Sequence, residues 1–397
     1  MNVPKIRFSN FYNEYNDVVF STIANKISKK NKGNIITNVI SNSAIHGLIS
    51  QRDFFEKDIA NNDNTENYYI IEKNDFVYNP RKSNEAPYGP INLYKYDMPG
   101  VISPLYLCFR TKNINPNYLE YYFKSSCWHR YIYLNGDSGA RHDRVSIKDE
   151  IFFNMNVRIP SIEEQIKISN FLSLLDKKIE LQSKKIEDLK LFKKGLDKLI
   201  FSNNDLFYKD IIKNRFDSDG GTALEEYISD NGTHKIISIG NYSTNGTYID
   251  NGQKIIFNDK TKTKLLEKDN LVMILNDKTT TGDIIGSSIL IEENDKYIYN
   301  QRSQKLICKE INPKYAWCYL NNYIFRKQIF KLAQGGTQIY VNFPTIANQK
   351  ILIPKNQKIE NMIIKSIIGI KEKTDKEIVK LNKLIELKKG LMQNMFV

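Results

Sequence analysis

The chain contains 397 residues, of which 41% are apolar and 12% aromatic, and its formal net charge at pH 7 is +13. This length exceeds one ordinary hydrophobic core and predicts two or three domains, while the apolar content excludes an intrinsically disordered chain. The positive charge favours a polyanionic partner, and DNA, RNA and an anionic lipid surface all remain open.

The same sequence disfavours membrane-spanning and metal-binding proteins. No apolar run approaches the ~18 residues that cross a bilayer, and the N-terminal segment MNVPKIRFSNFYNEY lacks the apolar centre of a signal peptide. The four cysteines stand singly, without a CxxC pair, which is typical of buried thiols in a reducing compartment. We therefore expect a cytoplasmic protein with no membrane partner and no bound metal.

The first half of the chain begins with a polar arm, residues 1–17, followed by a mixed segment over residues 18–158. The mixed segment contains short β-type runs such as FVYNP and VISPLYLCF, turn clusters of Asn, Gly, Pro and Asp, and one helical stretch, NYLEYYFKSSCWHRYIY. This pattern predicts an independent α+β domain.

The residue spacing changes after an Ile-Pro pair, and residues 159–202 predict one long helix. Pro160 suits the first turn of a helix, and Glu163 and Glu164 suit the positive end of its dipole. Apolar residues then recur every three or four positions, which predicts an apolar seam along one face. The seam consists of Leu172, Leu175, Ile179, Ile186, Leu189 and Leu196.

The second half repeats this plan, with a mixed segment over residues 203–352 and a second long helix over residues 353–397. The mixed segment contains the runs KIISI, NLVMIL and KYIYN and the helical stretch KYAWCYLNNYIFRKQIFKLA. The seam of the second helix lies 195 residues after that of the first. It consists of Ile367, Ile370, Leu381, Leu384 and Leu391.

Five landmarks recur in the same order and show that the chain is internally duplicated. The steps that can be measured between matching segments lie between 194 and 197 residues. The matching segments are EKNDFVY and EKDNLVM, INPNY and INPKY, the glycine turns GDSGAR and GGTQ, RIP and LIP, and KKGLDKLIF and KKGLMQNMF.

The length of the two helices predicts that they pack on each other. About 40 residues form ~60 Å of helix, which is longer than one such domain can cover. An antiparallel pair would relate the two domains by a pseudo-twofold axis, the symmetry of the DNA backbone, with helix length as a ruler. Gly195 and Gly390 predict a close backbone approach or a bend, because each costs about 1 kcal/mol inside a helix.

Motifs for catalysis are absent from the sequence. There is no GxG for S-adenosylmethionine, no Pro-Pro as in amino-methyltransferases, and no Gly-Lys pair for a phosphate-binding loop. The four histidines are scattered and form no HExxH motif. We therefore predict a chain that is not an enzyme and binds no cofactor itself.

These landmarks resemble those of the specificity subunit of Type I restriction–modification systems. The resemblance rests on VPKIRFSNF, the EKNDFVY and EKDNLVM pair, the glycine turn before each Ile-Pro, and RIPSIEEQIKISNFLSLLDKKIE with KKGLDKLIF. The second copy, IPKNQKIENMIIKSI, lacks the EEQ and the FL…LD of the first. The second helix is therefore assigned by its position, its apolar spacing and KKGLMQNMF.

The resemblance implies two target-recognition domains that each read one half of a split sequence in double-stranded DNA, and an antiparallel helix pair that sets the spacer. It also implies two modification subunits, docked on the helices, that bring S-adenosylmethionine and methylate adenine. Two restriction subunits that use ATP and Mg²⁺ can join them.

Candidate DNA contacts are polar side chains on loops, because base reading needs hydrogen-bonding groups and lysines supply phosphate contacts. In the first domain they lie in the loop NPRKSNEAPYGP and in GARHDR. In the second they lie in NDKTTTGD, NQRSQ and GGTQIY. The candidates are Arg81, Lys82, Asn84, Arg141, His142, Arg144, Lys278, Thr279, Thr280, Gln301, Arg302, Gln338 and Tyr340.

Three alternatives remain open. The chain could be the target-recognition partner of a fused methyltransferase–nuclease, which differs only in the neighbouring polypeptide. A coiled-coil scaffold without a DNA role would favour longer unbroken heptads and a near-neutral surface. An enzyme acting alone on nucleic acid would show activity with S-adenosylmethionine or Mg²⁺.

Overall fold

The computed structural model describes residues 3–51, 65–137 and 143–397. The chain divides into two units, one formed by Met1–Gln182 with Lys380–Val397 and the other by Ser183–Val379. Each unit therefore contains one globular domain and one segment from each long helix.

The first domain lies between Asn16 and Ile159. Its strands are β1 (Asn16–Val19), β2 (Ala24–Ile27), β3 (Ile40–Ser43), β4 (Gly47–Ser50), β5 (Tyr69–Ile71), β6 (Asp75–Tyr78), β7 (Ile91–Leu93), β8 (Gly100–Ile102), β9 (Leu107–Thr111) and β10 (Asn156–Ile159). Its described helices are α1 (Phe20–Ile23), the 3-10 turn Lys32–Asn34, α2 (Pro116–Lys124), α3 (His129–Asn135) and α4 (Asp149–Phe153). The long helix α5 (Ile162–Phe201) follows.

The second domain lies between Phe207 and Pro354. Its strands are β11 (Phe207–Ile211), β12 (Phe216–Gly220), β13 (His234–Ile237), β14 (Lys254–Ile255), β15 (Leu271–Ile274), β16 (Asn276–Asp277), β17 (Ser288–Leu290), β18 (Tyr297–Tyr299), β19 (Ser303–Cys308), β20 (Ile339–Tyr340) and β21 (Lys350–Pro354). Its helices are α6 (Ile212–Arg215), α7 (Asp259–Lys262), α8 (Pro313–Leu320), α9 (Tyr323–Leu332) and α10 (Phe343–Ala347), with 3-10 turns at Asn204–Leu206, Glu225–Tyr227 and Ile239–Asn241. The long helix α11 (Gln357–Asn394) follows.

The two domains contain the same main sheet. In the first domain the antiparallel order is β2-β9-β6-β7, and in the second it is β12-β19-β15-β17. A separate antiparallel pair joins the two ends of each domain, β1 with β10 and β11 with β21. The duplication seen in the sequence is therefore a duplication of topology.

Two of the recurring segments owe their residue types to backbone geometry. In EKNDFVY and EKDNLVM, Asn74 and Asp269 have φ values of 71° and 68°, the left-handed region that short polar side chains tolerate. In INPNY and INPKY, the side chains of Asn115 and Asn312 cap α2 and α8 by accepting a backbone N–H, and proline occupies the first helical turn. These segments fix the start of a central strand and of a helix in each domain.

Each predicted single helical stretch consists of two helices. In the second domain the first helix ends at its C-cap Asn321, and Asn322 begins the next helix, because its Oδ1 accepts the N–H of Phe325 at 2.8 Å. In the first domain the chain is extended at Ser125, whose hydroxyl donates to the carbonyl of Tyr122 at 2.6 Å. The break follows from polar side chains that bind the backbone more favourably than the next helical turn would.

The EEQ motif connects three landmarks of the first unit. Glu164 is buried and accepts two hydrogen bonds of 2.8 Å from the Arg7 guanidinium in the N-terminal arm. Gln165 is also buried; its Oε1 accepts the N–H of Asn115, and its amide donates to the carbonyl of Pro160. The motif thus joins the arm, the start of α2 and the start of α5.

Both long helices contribute to the core of the first unit. Phe20, at the centre of that core, packs edge-on against Phe109 at 5.3 Å between ring centroids. The C-terminal part of α11 and the residues after it add Met392, Met395 and Phe396 to the same core, together with apolar residues of α5. Lys388 of α11 lies 2.5 Å from the carboxylate of Asp176 of α5, which joins the two helices within this unit.

Both long helices also contribute residues to the core of the second unit. Ile200 and Ile363 belong to its core, and Lys185 lies 2.9 Å from the buried carboxylate of Glu377. Lys185 lies near the start of the α5 segment in this unit, and Glu377 lies near the end of the α11 segment. The two helices therefore run antiparallel within the unit. The predicted α+β class and the pairing of the two long helices are confirmed.

The seam positions are buried or half-buried along both helices. Leu172, Leu175, Ile186 and Ile367 are buried. The half-buried positions are Ile179, Leu189, Leu196, Ile370, Leu381, Leu384 and Leu391.

Of the two alternatives predicted at Gly195 and Gly390, the close backbone approach is wrong, while the bend stays a prediction. A Cβ atom built on either residue would have no heavy atom within 4 Å outside its own helical surroundings. Both glycines lie within a continuous helix, and no neighbouring group requires the absence of a side chain there.

No helix in the described part of the chain combines the length and the apolar character that crossing a bilayer requires.

Candidate nucleic-acid interface

The first candidate surface forms where the loop after β6 meets a later segment of the first domain. Asn79 donates its N–H to the carbonyl of Pro90 at 3.0 Å, which closes the loop 79–90. Lys82 donates its N–H to the carbonyl of Asp143 at 2.8 Å, and Val145 donates to the carbonyl of Pro80 at 2.9 Å. The loop and residues 143–145 therefore lie side by side.

The predicted cations of the first domain meet at this junction. Arg81 and Arg144 face each other as a β-bridge, and both side chains are exposed. The Arg81 guanidinium lies 3.8 Å from the carboxylate of Asp143. Lys82 is half-buried and Asn84 is exposed on the same loop, and Arg81, Lys82 and Arg144 line one groove of about 410 Å³. Arg141 and His142 lie outside the described residues.

Gly89 is required for the shape of this loop. Its φ is +85°, and a Cβ atom there would lie 2.1 Å from the carbonyl oxygen of Asn79. A side chain at this position would therefore clash with the Asn79 carbonyl and displace the loop near the Asn79–Pro90 hydrogen bond that closes it.

The second candidate surface brings three segments of the second domain together. Asn276 pairs with Tyr340 in the β16–β20 ladder. On the neighbouring residue, Leu275 donates its N–H to the carbonyl of Arg302 and accepts the N–H of Val341, each at 2.9 Å. The predicted side chains on these segments are all exposed: Lys278, Thr279, Thr280, Gln301, Arg302, Gln338 and Tyr340.

Asp277 shapes the loop 277–286 from within. Its buried carboxylate accepts the N–H and the hydroxyl of Thr279 at 2.9 and 2.8 Å and the N–H of Ile284 at 2.9 Å. The Thr279 hydroxyl proton is therefore already bound, and Gln301 similarly donates its amide to Glu225 at 2.9 Å. Lys278 and Thr280 extend from a loop whose backbone is fixed.

Arg326 fixes the other end of the same loop. Its guanidinium donates to the carbonyls of Ile285 and Asp283, each at 2.8 Å. Burial lowers the pKa of Arg326 to about 10, and Asp277 and Asp283 oppose that shift, so the side chain stays charged at pH 7. Arg326 was not among the predicted residues because it lies inside a helical stretch. Asp277 was not among them either, although NDKTTTGD carries a typical Asx-turn signal.

The two surfaces are built from equivalent parts of each domain. Each combines the loop after a central strand, β6 or β15, with a segment that follows the glycine-rich sequence, residues 143–145 in the first domain and β20 in the second. A β-bridge is present beside each segment, Asp137–Ser146 in the first domain and Gln334–Tyr340 in the second. The same two places therefore carry two arginines in one domain and lysine, threonine and tyrosine in the other.

The side chains of both surfaces are of the kinds that bind bases and phosphates. Guanidinium groups can bind guanine in a bidentate manner, amides can bind adenine, and lysines bind phosphate. Among the described residues, no group of three or more His, Cys, Asp or Glu side chains is placed to hold a metal ion.

Comparison with known proteins identifies a family. The Type I restriction modification DNA specificity domain matches the chain twice, over residues 12–191 and 204–389. The Type I restriction enzyme MjaVIII specificity subunit of Methanocaldococcus jannaschii is 28% identical over 271 residues, which cover 60% of this chain and 62% of that protein. The match thus spans less than two thirds of that relative.

Solved structures share the fold. The S subunit of a Type I restriction–modification system from M. genitalium gives a TM-score of 0.59 at 15% identity, over 100% of this chain and 99% of that one. A chain from a structure on complex assembly and conformational transition of the type I R-M system also gives 0.59, at 11% identity, over 95% of this chain and 96% of that one. Together with the two matches that cover most of its length, these similarities show that the chain belongs to the Type I restriction modification DNA specificity domain family.

Proposed function

We propose that this chain is the DNA-recognition subunit of a Type I restriction–modification complex and that each domain reads one half of a bipartite target. The observation that carries the proposal is the pair of equivalent surfaces with different side chains. Equivalent geometry would present each surface to DNA in the same way, while Arg81 and Arg144 would favour other bases than Lys278 and Tyr340.

The paired helices α5 and α11 have two roles in this proposal. They set the number of base pairs between the half-sites, and they dock two modification subunits. Those subunits supply S-adenosylmethionine and methylate adenine, and two restriction subunits that use ATP and Mg²⁺ can join them. The chain itself would act without catalysis, in the cytoplasm, where its double-stranded DNA target and partner subunits meet.

The first experiment maps DNA methylation. The chain would be co-expressed with its neighbouring modification subunit, and methylated adenines would be located by single-molecule sequencing. We expect a split motif, two short halves around an unspecified gap, that is absent without this chain. No new methylation from a stable DNA-binding complex would contradict the proposed function.

Two sets of variants assign the half-sites. Replacing residues 18–158 by the corresponding domain of a homologue should change one half only. Within the loop, Arg81→Ala and Arg144→Ala should each relax that half at one base, with a loss of about 1–3 kcal/mol in discrimination. Arg158→Ala removes the same charge from an arginine that already pairs with Asp17 at 2.9 Å, and it should leave the motif unchanged.

A further inference from the structure

A cluster of lysines surrounds Tyr323 in the second unit. The Nζ atoms of Lys194, Lys198 and Lys327 lie 4.2, 5.5 and 6.0 Å from the centre of its ring. Lys190 lies one helical turn before Lys194 on α5, and both lysines line one groove together with Tyr323 and Lys327. We call these five residues the Tyr323 cluster.

Among the residues that the structure describes, the lysines of this cluster have no acidic partner. Over the ranges that the structure describes, Lys190, Lys194, Lys198 and Lys327 form no ion pair with a carboxylate within 4.0 Å. Neighbouring Lys193, by contrast, lies 3.0 Å from the buried carboxylate of Asp197. Lys194 lowers the pKa of the Tyr323 phenol, first by hydrogen bonding and then by its charge, and Lys327 and Lys198 lower it further.

The spacing of these lysines opposes helix stability. Lys190, Lys194 and Lys198 stand four residues apart on α5, so their ammonium groups lie along one face. Like charges at that spacing repel one another and destabilise a helix. The Tyr323 ring offsets part of this repulsion through cation–π contacts, and a bound anion would offset the rest.

The cluster is continuous with the second candidate surface. Its groove, about 420 Å³ in volume, is also lined by Thr281, Gly282 and Asp283 from the loop 277–286. Arg326, which fixes that loop, lies next to Lys327 at the start of α9. A polyanion on the loop would therefore pass the lysines of α5.

The duplicated helix does not repeat this row of lysines. At the corresponding positions of α11, 195 residues later, stand Ile385, Lys389 and Gln393. The cationic face thus belongs to one half of the duplication only, which points to a local role rather than to a general feature of the helices.

We propose that the Tyr323 cluster binds backbone phosphates of duplex DNA beside the half-site that the second domain reads. This inference rests on the proposed function and adds a sequence-independent contact on one side of the target. Lysine is a point charge without a planar fork, which suits phosphate oxygens and not base edges.

The test measures how DNA binding by the full chain depends on salt. Binding to a fluorescein-labelled random-sequence duplex would be followed by anisotropy between about 50 and 200 mM KCl. Neutralising Lys190, Lys194 and Lys198 to glutamine should reduce the slope of log K against log salt by about three, one for each phosphate contact. The matched control replaces Lys184, Lys209 and Lys213, three exposed lysines of the same unit, and should change the slope much less.

Further variants separate the possible outcomes. Replacing the same three residues by arginine keeps the charge and should keep the slope, which attributes the loss in the glutamine variant to charge. An unchanged slope in the glutamine variant, or an equal change in the control, would overturn the proposal. An altered methylation motif would also overturn it, because it would mean that these lysines read bases. Failure of the proposed function would appear separately, as wild-type chain that directs no methylation.

Discussion

His129 lies half-buried between two aromatic rings of the first domain. Its ring centre lies 4.8 Å from that of Tyr88 in the loop 79–90 and 4.9 Å from that of Trp128. Burial lowers the pKa of this imidazole below its usual value of 6.5. In the unfolded chain the same group takes up a proton at higher pH, so acid favours the unfolded state.

We therefore expect the free energy of unfolding to fall as pH drops below about 6.5, toward the lower folded-state pKa. His129→Gln should remove this component, and the difference between the two proteins isolates it from the carboxylates that both contain. Urea unfolding monitored by tryptophan fluorescence would measure this difference in the free energy of unfolding at about pH 7.5, 6.5 and 5.5. Parallel pH curves for the two proteins would mean that the imidazole titrates normally.

At the scale of elements, Gly195 offers a direct stability test. Because a Cβ atom there meets no neighbour, Gly195→Ala should raise the free energy of unfolding by about 1 kcal/mol through helix propensity alone. Gly89→Ala is the contrasting change, since φ is +85° and the added carbon would meet a carbonyl oxygen at 2.1 Å. The midpoint of chemical denaturation should rise for Gly195→Ala and fall for Gly89→Ala. A loss of stability in Gly195→Ala would contradict the prediction, because it would mean that Gly195 is needed for packing.

The helices were the elements that the sequence could predict best. Their apolar spacing is local, so residues 159–202 anticipated a helix that runs from Ile162 to Phe201. Strands of two to six residues carry too little local signal, and their partners lie far along the chain, as with β2 and β9. Two consecutive capping residues, Asn321 and Asn322, divided a stretch that propensity alone predicted as one helix.

The candidate surfaces were predicted less completely than the helices, because they form from segments that lie far apart in the sequence. Glycine and proline marked the loops, yet nothing local indicates that Arg81 would lie opposite Arg144. The buried donors and acceptors of Arg326 and Asp277 depend on contacts between segments, so only the fold reveals that they shape the loop 277–286.

At the scale of the whole molecule, each core depends on residues distant in sequence. The Phe396 ring lies 5.4 Å from that of Tyr118 and is buried in the core of the first unit. Phe396→Ala should therefore destabilise that unit by about 3–5 kcal/mol. The control Leu387→Ala, on an exposed side chain of α11, should have little effect.

Two tryptophans allow the units to be followed separately. Trp128 is buried in the first unit and Trp317 in the second, so single-tryptophan variants report on one unit each. We expect Phe396→Ala to shift the urea transition seen by Trp128 more than the transition seen by Trp317. Equal shifts would show that the chain unfolds as one cooperative block.

The position of Met392, Met395 and Phe396 in the first core also affects biosynthesis. Domains generally fold as units, N-terminal first, while the ribosome extends the chain. Here the domain that emerges first needs residues that are translated after the entire second domain. The nascent chain must hold the apolar face of α5 uncovered during that interval, so the domain that is translated first is the last to complete its core.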